Sequence, residues 1–175
     1  MYLESNRMIL RDFIMDDLND LHEILGDAKV MMYMEPPYDK QKTANFLQSF
    51  CIERNPKGAF AAVLKDTGKV IGYVLFKPID DPEIYEIGWI FNKSFWRSGY
   101  AFEICSKLIS YSFYDRKLHK ICTETIDEIK SVSLMKKLGM SLEGIQKKQI
   151  RSIDKSAWCD LYWYAILEED YFPTA

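Results

Sequence analysis

The chain has 175 residues and a formal net charge of −3. Hydrophobic residues make up 48% of it and aromatic residues 14%, a composition that excludes a disordered chain. The acidic balance disfavours a nucleic-acid partner, because such partners bind to basic patches. The length fits one domain of roughly 100–200 residues, and we predict a single domain over 1–175 with a core from about residue 7 to residue 168.

Cysteine and histidine usage predicts no metal site. The four cysteines contain no CxxC pair, and the two histidines, His22 and His119, lie far apart in sequence. Reduced cysteines in the core are therefore the preferred interpretation. Charged residues near the start, and the lack of any run of about 18 apolar residues, predict no membrane partner and a cytoplasmic location.

The first third of the chain is predicted to begin with a strand and continue with helices. Asp16 and Asp17 suit the start of the first helix, because acidic residues complement the helix dipole there. Pro36 and Pro37 must follow the end of the second helix, since proline cannot continue helical hydrogen bonding, whereas Asp39 can cap the third. The predicted elements are a strand at 7–13 and helices at 16–25, 28–34 and about 39–55.

The rest of the chain alternates between predicted strands and two helices. Turn residues at 66–69 join two strands into a hairpin, and the segment 100–114 repeats apolar residues at the i, i+3, i+4 spacing of a helix. Gly139 is expected to end the later helix at 128–138. The predicted strands are 59–64, 70–76, 83–91, 120–125, 141–152 and 157–167. This order predicts one mixed α/β (α+β) domain with a central, largely antiparallel sheet.

The segment most informative about function lies just before the helix at 100–114. Its Trp96-Arg97-Ser98-Gly99 turn places a glycine at a helix start. Free backbone N–H groups and the helix dipole suit a pyrophosphate there, and Arg97 can add a charge-assisted contact. The turn is neither a Walker loop nor a dinucleotide fingerprint. A plain helix-start glycine is the alternative interpretation.

Four segments in the right order resemble the GNAT acetyltransferases, particularly the branch that contains the ribosomal-protein N-terminal acetyltransferases. The most specific is Trp96-Arg97-Ser98-Gly99-Tyr100-Ala101, which resembles the family's coenzyme A pyrophosphate loop. The other three, at 7–18, 131–144 and 160–167, resemble the first strand and helix, the cofactor-side helix with its turn, and the closing strand. The resemblance implies a GNAT fold with a sheet of about seven strands, two of which splay to form the acetyl-CoA cleft. It also implies acetyl-CoA as co-substrate and no metal.

The resemblance further implies which residues hold the cofactor. The pantetheine arm would lie beside the strand ending at Phe91 like an added strand, and a bulge at Gly88 would open that strand. A glycine that only accommodates a bulky neighbour is the alternative for Gly88. Glu128 stands where the branch often carries asparagine, and an ionised carboxylate cannot donate the same hydrogen bond. The implied cofactor-binding residues are Trp89, Ile90, Phe91, Trp96, Arg97, Ser98, Gly99, Tyr100, Ala101, Phe102, Glu128 and Ser131.

Two residues are candidates for catalysis. An attacking amine must lose a proton, since a lysine-type amine has a pKa of about 10.4. Glu86 lies in an otherwise apolar strand, where burial would raise its pKa and favour a role as base; a cross-strand ion pair with Lys77 is the alternative. In the wider family a tyrosine assists the leaving thiolate, but Met135 occupies that position here. The resemblance makes Ser131 the replacement, with a helix-face serine of no chemical role as the alternative.

The acceptor site is the least defined part of the sequence. Glu35 and Asp160 are candidates to hold an ammonium group, and Tyr33 and Tyr38 to wall the pocket, with a solvated acid and ordinary core aromatics as the alternatives. The methionines within 31–34 are interpreted as packing residues. The predicted function is transfer of an acetyl group to a primary amine, either a peptide N-terminus or a small molecule. A non-catalytic acyl-CoA sensor of the same fold is the alternative, and a second copy of the chain is a candidate partner.

Overall fold

All strands of the chain belong to one sheet in the computed structural model, which describes residues 1–172. The strands are β1 (Tyr2–Glu4), β2 (Met8–Arg11), β3 (Ala59–Leu64), β4 (Val70–Ile79), β5 (Asp81–Phe91), β6 (Lys120–Thr125), β7 (Ser141–Arg151) and β8 (Trp158–Leu167). The α-helices are α1 (Leu18–Leu25), α2 (Lys40–Phe46), α3 (Tyr100–Tyr114), α4 (Lys130–Lys137) and α5 (Glu168–Tyr171). No helix within residues 1–172 is both long and apolar enough to cross a bilayer.

The sheet is antiparallel except at its centre, where β5 and β6 run parallel. Its strand order is β1-β2-β3-β4-β5-β6-β8-β7. The parallel pairing is short and ends where Glu86 meets Cys122. Beyond that point β5 continues to Phe91 against β4, and β6 continues to Thr125 against β8. The two central strands therefore splay apart, which confirms the fold that the family resemblance implied.

Helices cover both faces of the sheet and bury two apolar clusters. On one face α3 presents the fully buried side chains of Ile104, Leu108 and Phe113 to the sheet, together with residues of α4. On the other face α1 packs Leu21 and Ile24 against β3 and β4. Each such side chain contributes roughly 1.5–3 kcal/mol by leaving water. The two clusters hold the sheet rigidly between them and thus fix the position of the splay.

The N-terminal part differs from the sequence prediction in three ways. The structure adds β1, which makes eight strands where about seven were expected. The helix predicted at 28–34 is wrong: this segment forms turns, because the carboxylate of Asp27 accepts hydrogen bonds from the amides of Lys29 and Val30. Asp39 does cap α2 by accepting from the amide of Lys42 at 2.7 Å. That helix changes to π geometry over Leu47–Ile52 and ends before residue 55.

The bulge predicted at Gly88 is also wrong. The pairing of β4 with β5 is continuous through Gly88, and its irregularity lies between Pro78 and Ile79. A Cβ at Gly88 would approach the Cβ of Leu75 to 3.3 Å, closer than most real Cβ contacts. The glycine thus accommodates a bulky neighbour, and β6 stays paired with β8 along its whole length.

Candidate active site

The splay of β5 from β6 opens a cleft of ≈ 1210 Å³. Its walls are the diverging ends of the two strands, the loop before α3 and the first turns of α4. Trp89 and Phe91 of β5 and Thr123 and Thr125 of β6 lie on opposite sides of the opening. The two strand edges do not pair with each other there, so a bound molecule can pair with them as an added strand.

The backbone N–H and C=O groups of successive β5 residues point alternately towards β4 and towards the splay. The amide of Asn92 donates to the carbonyl of Ile71 at 2.9 Å, so the backbone groups of Ile90, two residues earlier, also face β4. Those of Trp89 and Phe91 face the splay instead. Ile90 contributes a side chain to the cleft lining, whereas Trp89 and Phe91 can offer backbone groups to a bound molecule.

The loop before α3 presents a row of unpaired amides. Arg97 has φ 60° and Gly99 has φ 81°, so both lie in the left-handed region. Within residues 1–172 the amides of Arg97, Ser98 and Gly99 donate to no other residue, and the first turn of α3 leaves further N–H groups free. Successive amides in this geometry form an anion-binding concavity, and the helix dipole adds positive potential.

Arg7 supports this loop from a distant part of the chain. Its Nε donates to Glu103 in the first turn of α3 at 2.7 Å, and its Nη1 donates to the carbonyl of Ser98 at 3.1 Å. The guanidinium also lies 4.2 Å from the ring centre of Tyr100. Ser5 donates to the same Glu103 carboxylate at 2.8 Å. The loop before β2 thus fixes both the loop and the start of α3.

Trp96 ties the loop to both walls of the cleft. Its indole Nε1 donates to the carbonyl of Phe91 at 2.7 Å, and Lys130 of α4 lies 5.2 Å from its ring centre. Lys130, Lys137 and Arg97 all line this end of the cleft. The mouth is therefore basic although the chain as a whole is acidic.

Ser131 lies in the first turn of α4 and faces the cleft. Asp127 caps this helix by accepting from the amides of Ile129 and Lys130, each at 3.1 Å. Asp127 also lies 3.4 Å from the Ser131 hydroxyl, at the long end of a hydrogen bond. Met135, one turn further, is buried and lines the cleft as well. The hydroxyl of Ser131 is thus a polar group that α4 offers one turn before Met135.

Two carboxylates, Glu86 and Glu124, lie on the other face of the sheet at the floor of the cleft. Glu86 forms an ion pair with Lys77 at 2.7 Å, as their register across β4 and β5 allows. Glu124 follows two residues after Cys122, which pairs with Glu86, so both carboxylates project from the same face. Partial withdrawal of Glu124 from water and the nearby Glu86 raise its pKa, while Lys77 opposes the shift.

The comparisons with known proteins agree with this geometry. The family profile described as "Acetyltransferase (GNAT) domain" matches residues 7–141. The chain belongs to the GNAT acetyltransferase family. It is an acetyltransferase by that membership, and its relatives include an uncharacterized N-acetyltransferase, YnaD, of Bacillus subtilis strain 168. That protein is 33% identical over 98% of this chain and 99% of its own length.

Two solved structures share the fold. A GNAT acetyltransferase from Bacillus anthracis superposes with a TM-score of 0.88 and 32% identity, over 97% of this chain and 99% of its own. A ribosomal L7/L12 alpha-N-protein acetyltransferase in complex with coenzyme A has a TM-score of 0.81 and 16% identity, over 95% and 98% of the two chains. At that identity the second likeness concerns the fold alone.

Most residues predicted for the GNAT cofactor site come together in the cleft. The lining includes those of β5, the loop and α3, namely Trp89, Ile90, Phe91, Trp96, Arg97, Gly99, Tyr100, Ala101 and Phe102, as well as Ser131. Ser98 does not line the cleft; its carbonyl accepts from Arg7 at 3.1 Å. Glu128 lies outside the lining and faces Tyr162 of β8, and the nearby Glu128 carboxylate raises the pKa of that tyrosine to about 12.

Most of the residues predicted for the acceptor site lie outside the cleft. Tyr33 lines the cleft, but Glu35, Tyr38 and Asp160 do not. Glu35 accepts a hydrogen bond from Tyr38 and forms an ion pair with Lys42 at 2.8 Å. Burial raises the pKa of Glu35, but the hydrogen bonds from Lys42 and Tyr38 outweigh it and lower the pKa overall. The ring of Tyr38 is buried in the core, as the alternative interpretation had it.

Asp160 has a structural partner as well. Its carboxylate pairs with Lys147 at 2.7 Å and accepts from the amide of Lys148 at 2.8 Å, at the irregular part of the β7–β8 pairing. Hydrogen bonding from Lys147 lowers its pKa. Among the methionines at 31–34, Met31 is core, whereas Met32 and Met34 are exposed and line the cleft, so the packing interpretation is wrong for those two.

The cysteines offer no activated nucleophile. All four are free thiols, and Cys51, Cys105 and Cys122 are buried. Burial raises the pKa of Cys122, the cysteine nearest the start of the splay, to about 11. A thiol with a raised pKa is a poor thiolate. Cys122 is therefore a poor nucleophile.

Proposed function

We propose that this GNAT protein catalyses acetyl-CoA-dependent N-acetylation of a primary amine by direct attack of the amine in a ternary complex. One observation carries the proposal: the splay of β5 from β6 lies next to the unpaired amides of the loop before α3. A free strand edge and an anion-binding turn in one cleft suit a long molecule with a pyrophosphate at one end and an amide-containing arm.

The residues present fit acetyl-CoA. The amides of Arg97, Ser98 and Gly99 would hold the pyrophosphate, and Arg97, Lys130 and Lys137 would add positive charge for the phosphates. The backbone groups of Trp89 and the N–H of Phe91 would pair with the pantetheine arm, while the Phe91 carbonyl already accepts from Trp96. When bound, acetyl-CoA supplies the acetyl group as a thioester.

The chain's own groups can then meet the three demands of acetyl transfer. A backbone N–H of Trp89 or Phe91 stabilises the developing oxyanion. Glu86 accepts the amine proton, directly or through water, and Ser131 donates a hydrogen bond to the departing thiolate sulfur. The new N–C bond forms as the C–S bond breaks, so the products are the N-acetyl amine, coenzyme A and one proton.

The acceptor class follows from the family branch and the acidic floor of the cleft. A peptide N-terminus is favoured by the resemblance to the ribosomal-protein acetyltransferases, and a small-molecule amine is the alternative. The proposal includes a cytoplasmic location, which four free thiols support because oxidising compartments favour disulfides.

Calorimetry and initial-rate kinetics test the proposal together. Acetyl-CoA should bind the free protein, and reciprocal plots at varied acetyl-CoA and amine should intersect, as a ternary complex requires. Parallel plots would indicate an acetylated enzyme and contradict direct attack. Acetyl-CoA binding without thiol release for any amine would favour the sensor alternative.

A further inference from the structure

The cleft has two halves with different chemistry. Residues of β5 and β6 alternate between the faces of the sheet, so Trp89, Phe91 and Thr123 face α3 and α4, whereas Glu86 and Glu124 face the side of α1 and α2. We call this second side the acceptor half. Its apolar and aromatic lining residues include Tyr33, Met34, Leu75, Ile90, Ile150 and Leu161.

Only one carboxylate of the acceptor half is without a partner among residues 1–172. Glu86 already has a cation beside it, because it forms an ion pair with Lys77 at 2.7 Å. Glu124 makes no ion pair or hydrogen bond with another residue of the described chain. The third acid lining the cleft, Asp127, caps α4 instead. The acceptor half therefore has a single free negative charge.

The basic residues that line the cleft further disfavour a ligand with several positive charges. They are Lys29, Lys93, Arg97, Lys130 and Lys137. Of these, Lys93 is paired with Asp27 at the outer wall. A ligand with several positive charges would bring its second and third cations towards these bases or the apolar walls, where no free carboxylate compensates them.

We infer that the acceptor is an amine with one positive charge on an apolar body, whose ammonium group is held by Glu124 and whose body packs on Tyr33, Met34 and Leu161. This inference rests on the proposed function and narrows it. It favours a peptide N-terminus followed by apolar residues, or an arylalkyl amine, over a polyamine. The raised pKa of Glu124 agrees with a carboxylate that lacks its cation in the free protein.

An amine panel tests the inference. Thiol release should be measured with 2-phenylethylamine, Leu-Gly amide, 1,4-diaminobutane and spermidine. The two monocations should exceed spermidine in kcat/KM by about 10-fold or more, the factor expected when one charged group lacks a partner. A clear preference for spermidine or 1,4-diaminobutane would overturn the inference and leave the proposed function intact.

Two variants make the test specific. Glu124→Gln should raise KM for 2-phenylethylamine about 10-fold and leave acetyl-CoA affinity unchanged, while the same change at exposed Glu169 of α5 should alter neither. Met34→Glu changes a side chain that is 60% exposed, so it should fold, and it adds a second carboxylate to the wall. It should raise kcat/KM for 1,4-diaminobutane relative to 2-phenylethylamine.

The two proposals fail in distinguishable ways. An unchanged KM in Glu124→Gln, with 2-phenylethylamine still acetylated, would overturn the role of Glu124 alone. An unchanged preference in Met34→Glu would contradict the position of the apolar body. No thiol release with any amine, despite acetyl-CoA binding, would overturn the proposed function and this inference with it.

Discussion

Arg7 and Glu103 lie 96 residues apart in sequence and are joined by a 2.7 Å ion pair beside the loop before α3. The same arginine holds the Ser98 carbonyl. Free amides bind an anion well only if the loop that carries them is already ordered, because ordering on binding costs free energy. Arg7 is thus a positioning residue for the proposed pyrophosphate site.

Replacing Arg7 with alanine is expected to weaken acetyl-CoA binding more than it weakens the fold. Its side chain is 47% exposed, so the ion pair itself should contribute only about 0–1 kcal/mol to unfolding. Calorimetry with acetyl-CoA and thermal unfolding would separate the two effects. Lys147→Ala removes an exposed ion pair outside the cleft and is the control. Equal acetyl-CoA affinity in both variants would refute the positioning role.

Gly99→Val should sharply weaken acetyl-CoA binding. Gly99 has φ 81°, and a β-branched residue there is strained by about 1–2 kcal/mol and blocks close approach to the amides. Gly68 has φ 70° in a turn with no neighbouring atoms within 4 Å, so Gly68→Val carries the same backbone strain away from the cleft. Both variants should lose similar stability, but only Gly99→Val should lose affinity. Unchanged acetyl-CoA affinity in Gly99→Val would show that this loop does not bind the pyrophosphate.

Ser131→Ala should lower kcat and leave the Kd for acetyl-CoA nearly unchanged. Acid–base groups contribute about 10²-fold or more to rate, and the serine hydroxyl faces the cleft from α4. Ser49→Ala removes a hydroxyl that donates to a helix carbonyl far from the cleft and serves as control. A wild-type kcat for Ser131→Ala on a confirmed acceptor would show that the thiolate leaves without help from this residue.

Glu124→Gln is expected to stabilise the free protein at pH 7. Partial withdrawal from water and the neighbouring Glu86 raise the pKa of Glu124 in the folded state, although its side chain stays exposed. Stability is then lost as pH rises from the unfolded pKa of about 4.3 through the folded pKa, because the native state binds the proton more tightly. Denaturant unfolding should give the variant a higher free energy of unfolding than wild type at pH 7 and an equal one well below pH 4.3. A variant less stable than wild type at pH 7 would contradict an unpaired carboxylate.

The sequence predicts the cofactor side of the site well because its signals are local. The loop at 96–99 follows a strand and precedes a helix with regular apolar spacing, and the structure places both as expected. The support from Arg7 could not be predicted, since nothing local to residue 7 indicates that α3 lies beside it. The prediction that two strands splay rested on the family resemblance and not on the periodicity of apolar residues.

The acceptor side is predicted poorly because ion pairs between residues distant in sequence determine which acids are free to bind a ligand. Glu35 and Asp160 look like free acids in sequence, but Lys42 and Lys147 reach them through a helix cap and a strand pairing. Glu124 is an exposed glutamate that follows the buried residues 121–123 near the end of β6. Its significance depends on the register with Glu86, which only the structure gives.

The most direct test of the account is to count both products of one reaction by mass spectrometry and thiol titration. The protein, acetyl-CoA and 2-phenylethylamine are incubated together, with N-acetyl product and free coenzyme A measured over time. Direct transfer to the amine predicts equal amounts of the two products, with the acetyl group on the amine nitrogen and none retained on the protein. Coenzyme A released without N-acetyl product, or an acetylated protein that precedes it, would contradict direct transfer to an amine.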